Sequence, residues 1–196
     1  MHPSSYRLLL EIGLGSKELC DLDAEPIHVI TDRSGGFGLI GGNGVGKTWI
    51  LAHRLCSGIE RSVLKSEAPA NAKLLPGTVR WFNWPNQAEQ LKTWISVHYS
   101  QDLQAFLEEA SICRVLYLDD LGQERITGEN DYALGMLRTI ICTRHRNGLP
   151  LFWTSNLDMT GLATIYGSRI VSRMLQAWPP MRVKGDDLRL RKGGVA

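Results

Sequence analysis

Apolar and polar positions along the chain switch repeatedly between a period near two and a period near 3.6, and the switches outline strands alternating with helices. Phe37 to Ile40 is a short strand candidate, and Trp49 to Arg61 is a helix candidate behind it. Residues 62 to 78, rich in Ala, Pro, Ser and Lys, read as a surface connection. Thr78 to Trp84 alternates β-branched and aromatic residues as a strand ending at Pro85. Asn86 is expected to cap a helix from Gln87 to about His98, and Ser100 to start another from Gln101 to Ala110, with Leu103, Phe106 and Leu107 on one face. Arg114 to Leu118 is almost wholly apolar, as a buried parallel strand should be, and runs into Asp119-Asp120. A long helix is expected over Asp131 to Arg146, stopped by Asn147-Gly148 before Pro150. Leu151 to Thr154 makes a further strand, Leu157 to Leu175 is mainly helical, and Met181 to Lys184 supplies a last strand. This order predicts an α/β domain, a parallel sheet with helices on both faces, over residues 37–196. Residues 1–36 form a lead-in segment in which Tyr6 to Leu14 is a candidate partner-binding stretch, with packing on its own sheet as the alternative.

Composition narrows the class. With 196 residues, 43% of them hydrophobic, the chain can bury one good core, and a net charge of +2 announces no nucleic-acid partner by itself. The four cysteines, Cys20, Cys56, Cys113 and Cys142, lie far apart with no Cys-x-x-Cys pair, which argues against a zinc site and a disulfide framework. No stretch approaches the roughly 20 apolar residues of a membrane span. Leu8 to Leu10 lacks the flanks of a signal peptide, so a cytoplasmic protein with no membrane partner is expected.

The chemistry concentrates in Gly41-Gly42-Asn43-Gly44-Val45-Gly46-Lys47-Thr48, a complete phosphate-binding loop between a strand and a helix. Glycines let several backbone N–H groups converge on β- and γ-phosphates without interfering side chains. Lys47 would reach the outer phosphates and Thr48 would ligate Mg2+, with Trp49 closing the nucleotide-binding stretch. A chance match to the fixed positions in a chain this long is on the order of one in a hundred. Such a loop needs an acidic strand end to hold the metal, and Asp119 stands where ligands bind in parallel sheets. Asp120 is the candidate that orients and deprotonates an attacking water; an aspartate pair that merely opens a turn is the alternative. Asn156, after Thr154-Ser155, is a candidate to touch the γ-phosphate or the water, or else a cap for the next helix.

These segments, together with Leu118-Asp119-Asp120-Leu121-Gly122 and Tyr166-Gly167-Ser168-Arg169-Ile170-Val171-Ser172-Arg173, resemble the AAA+ ATPases of the DnaC/DnaI helicase-loader and IstB transposition-helper group. The resemblance runs from about residue 37 to the end. It implies a P-loop NTPase fold with ATP and Mg2+ as cofactors, Asp119 and Asp120 as the Walker B pair, and Asn156 as sensor 1. Arg173 is implied as an arginine finger inserted into a neighbouring subunit's site, with Arg169 as its companion. Both arginines lie one helical turn apart, where a guanidinium can neutralise charge on a γ-phosphate. A homo-oligomer in the ATP state, with slow hydrolysis completed at the subunit interface, follows from that implication. The stretch after Arg173 is short, so the helical lid is expected to be missing or vestigial, and Arg189 is a secondary candidate for phosphate contact.

The same resemblance implies a replicative helicase as partner and single-stranded DNA bound through residues 86 to 111, where Lys92 is the one lysine or arginine. Trp81, Trp84, Trp94 and Tyr99 are candidates for stacking on bases, with core packing the competing role. Arg144-His145-Arg146 and Lys184 with Arg189, Arg191 and Lys192 are basic clusters that could meet phosphates or simply face solvent. An ATPase delivering target DNA to a transposase is the alternative function, and a small-molecule phosphotransferase the third.

Overall fold

The computed structural model describes residues 35–64, 78–128 and 131–188, with no account of side chains over 60–64. Five parallel strands, β1 (Gly36–Ile40), β2 (Val79–Asn83), β3 (Val115–Leu121), β4 (Leu151–Ser155) and β5 (Pro180–Arg182), form one sheet in the order β2-β3-β4-β1-β5. Six helices connect them: α1 (Lys47–Leu64), α2 (Trp84–Ser96), α3 (Ser100–Ile112), α4 (Tyr132–Arg146), α5 (Met159–Tyr166) and α6 (Ser168–Ala177). The expected α/β architecture with helices on both faces is what forms.

The register explains how each face is filled. Trp81 pairs with Tyr117, Tyr117 with Phe152, and Phe152 with Phe37, so four aromatics stand in one row across the sheet. Their rings stack or meet edge-on at centroid distances of 4.9–5.3 Å, and the Arg54 guanidinium lies 4.5 Å from the Phe152 centroid. Ile50, Leu51, Leu55 and Ile59 of α1 cover this face. The alternate strand residues, Leu116, Leu118, Leu151 and Trp153, point the other way into a larger core with buried residues of α2 to α6.

Several boundaries differ from expectation for local reasons. Pro85 does not end the strand. It sits in the first turn of α2, where its missing N–H costs nothing, and Asn83, not Asn86, is the cap, its side chain accepting from the Asn86 N–H at 3.3 Å. Trp81 and Trp84 are buried at 3% and 0% exposure, so core packing wins over base stacking for both, while Trp94 is half-buried against the core. Cys56 and Cys113 are buried, Cys142 is half-buried and all three are free thiols; Cys20 lies outside the described residues. The lead-in segment also lies outside them except for Gly35 and Gly36, the latter already the first residue of β1. No helix among the described residues is long and apolar enough to cross a membrane.

Asp131 is the cap of α4 rather than its first residue. Its carboxylate accepts from the Leu134 N–H (3.2 Å) and from the Thr127 N–H and hydroxyl (both 3.0 Å), with the Lys92 ammonium 3.5 Å away. Burial by itself raises the pKa of this carboxyl, but those hydrogen bonds and Lys92 more than offset it and hold it below its ordinary value. A carboxylate whose pKa is depressed on folding stabilises the protein above its unfolded pKa and loses that contribution as pH falls through the folded one. Asp131→Ala is therefore expected to cost about 1–2 kcal/mol at neutral pH, with the gap to wild type closing below about pH 4. Urea unfolding across pH checks it; a gap that stays constant into acid would contradict the charge-based account.

Candidate functional site

Because all strands run parallel, the carboxyl ends of β2, β3, β4 and β1 lie along one edge of the sheet, and the predicted chemical residues meet there. The chain leaves β1 at Ile40, turns through Gly41 to Gly46 and enters α1 at Lys47. Lys47, only 5% exposed, donates through Nζ to Gly41 O (3.0 Å), Gly42 O (2.7 Å) and Asn156 Oδ1 (2.5 Å). Thr48 donates its hydroxyl to Asp119 Oδ1 at 3.0 Å. A strand end, a loop and the residue after the next strand are thus joined through one ammonium and one hydroxyl.

The two aspartates have different surroundings. Asp119 is 3% exposed and also accepts from the Thr154 hydroxyl at 2.6 Å, and the same hydroxyl accepts from the Asp120 N–H at 2.8 Å. Asp120 is half-exposed, and its φ of 61° lies in the left-handed region that a non-glycine residue enters at a cost of about 1–3 kcal/mol. The cause is a bulge: the β3–β4 register shifts between Leu118 and Leu121, so an extra residue is accommodated in β3. The bulge re-aims Asp120 out of the sheet while Asp119 stays beneath Thr48. Asn83 Nδ2 lies 3.5 Å from Asp120 Oδ2, at the long limit of a hydrogen bond.

A second stretch braces the loop. The Val183 N–H donates to Ile40 O at 2.8 Å, and the Leu188 N–H donates to Gly44 O at 2.9 Å. A carbonyl and the following N–H point in opposite directions across a planar peptide, so fixing Gly44 O outward directs the Val45 N–H inward. Gly44 has φ of 67°, and a Cβ there would fall 1.7 Å from Asp187 Oδ1, so a larger residue would be strained and would displace the Asp187 side chain.

The remaining candidates are spread more widely. Trp49 is half-buried in α1, packed against the aromatic face with its ring 5.3 Å from that of His53. Arg169 is exposed and Arg173 half-buried on α6, where Arg173 donates to Arg169 O at 3.1 Å; neither belongs to the cluster around Lys47. Arg189 lies outside the described residues, as do Arg191 and Lys192. Asn156 does not cap the following helix: Asp158 does, accepting from the Gly161 N–H at 2.8 Å, which leaves the Asn156 amide to Lys47. Arg144 is no phosphate contact. It is fully buried and donates to Ala110 O, Cys113 O and Pro150 O. Lys92 is engaged as well, by Glu89, Asp131 and the carbonyl of Arg125. Sequence reasoning missed Asn83, Thr154, Asp187 and Leu188. The register pairs Asn83 with Asp119, and Thr154 follows the partner of Leu118, but neither relation is visible before the strands are aligned.

The site holds hard oxygen donors and one buried ammonium. No group of three or more His, Cys, Asp or Glu able to hold a metal exists among the described residues. A hydroxyl and a carboxylate 3.0 Å apart suit a cation such as Mg2+, which keeps waters and phosphate oxygens as its other ligands.

No protein-family model matches the chain, and no curated protein sequence does. Solved structures do. DnaI is similar at a TM-score of 0.59 and 24% identity, over 94% of this chain and 80% of that one. The DnaC helicase loader is similar at 0.58 and 22%, over 94% and 92%. The replication initiator DnaA bound to AMPPCP and single-stranded DNA is similar at 0.55 and 14%, over 80% of this chain and 43% of that one. The chain therefore shares the α/β fold of these solved structures, a parallel five-stranded sheet with helices on both faces.

Proposed function

We propose that the chain is a Mg2+-dependent ATPase that works as a helicase loader of the DnaC kind, with a hexameric helicase and single-stranded DNA as partners and a homo-oligomer as its ATP-bound form. The observation that carries the reading is the convergence of Lys47, Thr48, Asp119 and Asn156 at one sheet edge, through Nζ–Oδ1 and Oγ1–Oδ1 contacts of 2.5 and 3.0 Å. Gly41 to Thr48 would cradle the triphosphate, and Thr48 and Asp119 would hold Mg2+, which when bound offsets charge on the β- and γ-oxygens. Lys47 neutralises the outer phosphates. Asp120, turned outward by the bulge, accepts a proton from water as the water oxygen bonds to the γ-phosphorus and the bond to the β-bridging oxygen breaks, releasing ADP and phosphate. Asn156 links Lys47 to the strand next to the acidic pair and is the group able to report whether a γ-phosphate is present.

Arg173 completes the reaction in a neighbouring subunit, with Arg169 beside it, which supports oligomer-dependent turnover. Among the aromatic candidates for base stacking Tyr99, 56% exposed on the turn between α2 and α3, is the open one, since Trp81 and Trp84 are core and Trp94 is half-buried, and Lys92 beside them is engaged. Turnover per subunit is expected to rise with protein concentration, and Arg173→Ala to lower it on the order of a hundredfold while leaving Mg-ATP affinity within twofold. Steady-state hydrolysis from dilute monomer to assembled protein tests this; equal turnover across that range, or an active Arg173→Ala, would remove the intersubunit reading.

A further inference from the structure

The turn that follows the acidic strand end is tied to the joint between α5 and α6 by a carboxylate outside the nucleotide cluster. Glu124 accepts from the Gly122 N–H (2.9 Å) and from the Tyr166 hydroxyl (2.6 Å). Tyr166, the last residue of α5, is 1% exposed. Burial raises the pKa of its hydroxyl, and Glu124 raises it further, so the group stays protonated and donates. The backbone of the same residue is held from another side, Arg138 of α4 donating to Tyr166 O at 3.2 Å. Gly167, at φ of 88°, then turns the chain into α6, which carries Arg169 and Arg173. The other end of the tie is equally close: Gly122, at φ of 85°, lies where a Cβ would fall 2.7 Å from Leu157 Cδ1.

We propose that Glu124 is a positioning residue which, through Tyr166, sets the direction in which α6 presents Arg169 and Arg173 relative to the Asp119–Asp120 strand end. The proposal deepens the ATPase reading and rests on it for the role of Arg173. Two short helices joined at a glycine can pivot unless the joint is held. An arginine acting on a γ-phosphate tolerates little of that, because a displacement of about 1 Å can cost on the order of a hundredfold in rate. The tie also connects the two ends of the machinery: Gly122 follows the acidic pair by two residues, and Tyr166 precedes Arg169 by three.

The test compares Tyr166→Phe, which keeps the ring and deletes the hydroxyl, with Glu124→Gln, which keeps one acceptor oxygen. In the assembled protein Tyr166→Phe is expected to lower kcat about tenfold with KM for Mg-ATP unchanged within twofold, and Glu124→Gln to lower it less. In an Arg173→Ala background Tyr166→Phe should cost no further turnover, because the group it positions is gone. Hydrogen exchange of the amides at 167–173 should quicken at least tenfold in Tyr166→Phe, without a comparable change in α1. A kcat within twofold of wild type, equal losses in both backgrounds, or unaltered exchange would each overturn the proposal. If Arg173→Ala alone leaves turnover intact, the intersubunit reading fails instead, and the exchange measurement still decides whether Glu124 holds α6.

Discussion

Lys47→Ala is expected to raise the dissociation constant for Mg-ATP by about a thousandfold, leaving no measurable heat at micromolar protein in calorimetry. The size follows from the position of the charge. Two unit charges 4 Å apart at an effective dielectric near 20 interact by about 4 kcal/mol, and every 1.4 kcal/mol is a tenfold change in affinity. Lys47 is buried and aimed into the loop by Gly41 O, Gly42 O and Asn156 Oδ1, so little of that attraction is dispersed into solvent. Those acceptors also hold the ammonium in place before any anion arrives, which spares the ordering of a flexible side chain on binding. Stability should move the other way or not at all. Deleting the side chain removes a buried cation, and the two backbone acceptors belong to a half-exposed loop that water can reach. A variant that melts like wild type yet fails to bind isolates the effect to the site. A dissociation constant within tenfold of wild type would show that the loop does not grip a triphosphate through this residue, and the ATPase reading would go with it.

The parts of the site that are legible in sequence are those whose chemistry and neighbours are consecutive. Gly41 to Thr48 announces itself because its glycines, lysine and threonine follow a strand and open a helix. Asp119 is legible because an apolar run ends on it. What sequence cannot display is the alignment between strands. Thr154, whose hydroxyl bridges Asp119 and the Asp120 N–H, becomes visible only once β3 and β4 are in register. The bulge that turns Asp120 outward is hidden for the same reason: in sequence the apolar strand stops at Leu118, whereas β3 continues through the register shift to Leu121. Pro85 misleads differently: it ends a strand and starts a helix equally well, and the choice lies with Asn83. The contact of Asp187 and Leu188 with Gly44 spans the whole domain and has no local signal.

Arg144→Met is expected to destabilise the protein by about 3–5 kcal/mol, enough to leave a domain of ordinary stability close to unfolding. In sequence Arg144 belongs to a basic run with His145 and Arg146 that invites a phosphate. In the fold it is fully buried on the inner side of α4, and its guanidinium donates to Ala110 O (3.0 Å), Cys113 O (2.8 Å) and Pro150 O (2.5 Å), with Cys113 Sγ at 3.3 Å. These carbonyls come from the last turn of α3, the turn into β3 and the turn into β4; Pro150 O also accepts from the Leu116 N–H at 3.3 Å, while Ala110 O and Cys113 O lie where the helix has ended and the ladder has not begun. One planar group with several fixed N–H directions serves all three, which neither a methionine nor the compact ammonium of a lysine can do. Ala110 O and Cys113 O lose their guanidinium donor, at about 1–3 kcal/mol each, whereas Pro150 O keeps the Leu116 N–H; no longer burying a charge offsets part of the cost. Burial depresses the Arg144 pKa and raises that of the Cys113 thiol, and the guanidinium still remains charged at any pH the fold survives. Arg146→Met, two residues on at an exposed position, should shift stability by no more than about 0.5 kcal/mol. Urea unfolding of the two variants side by side separates the roles. If Arg144→Met unfolds at the same urea concentration as Arg146→Met and loses affinity for DNA instead, the residue belongs to a nucleic-acid surface and the buried network described for it is wrong.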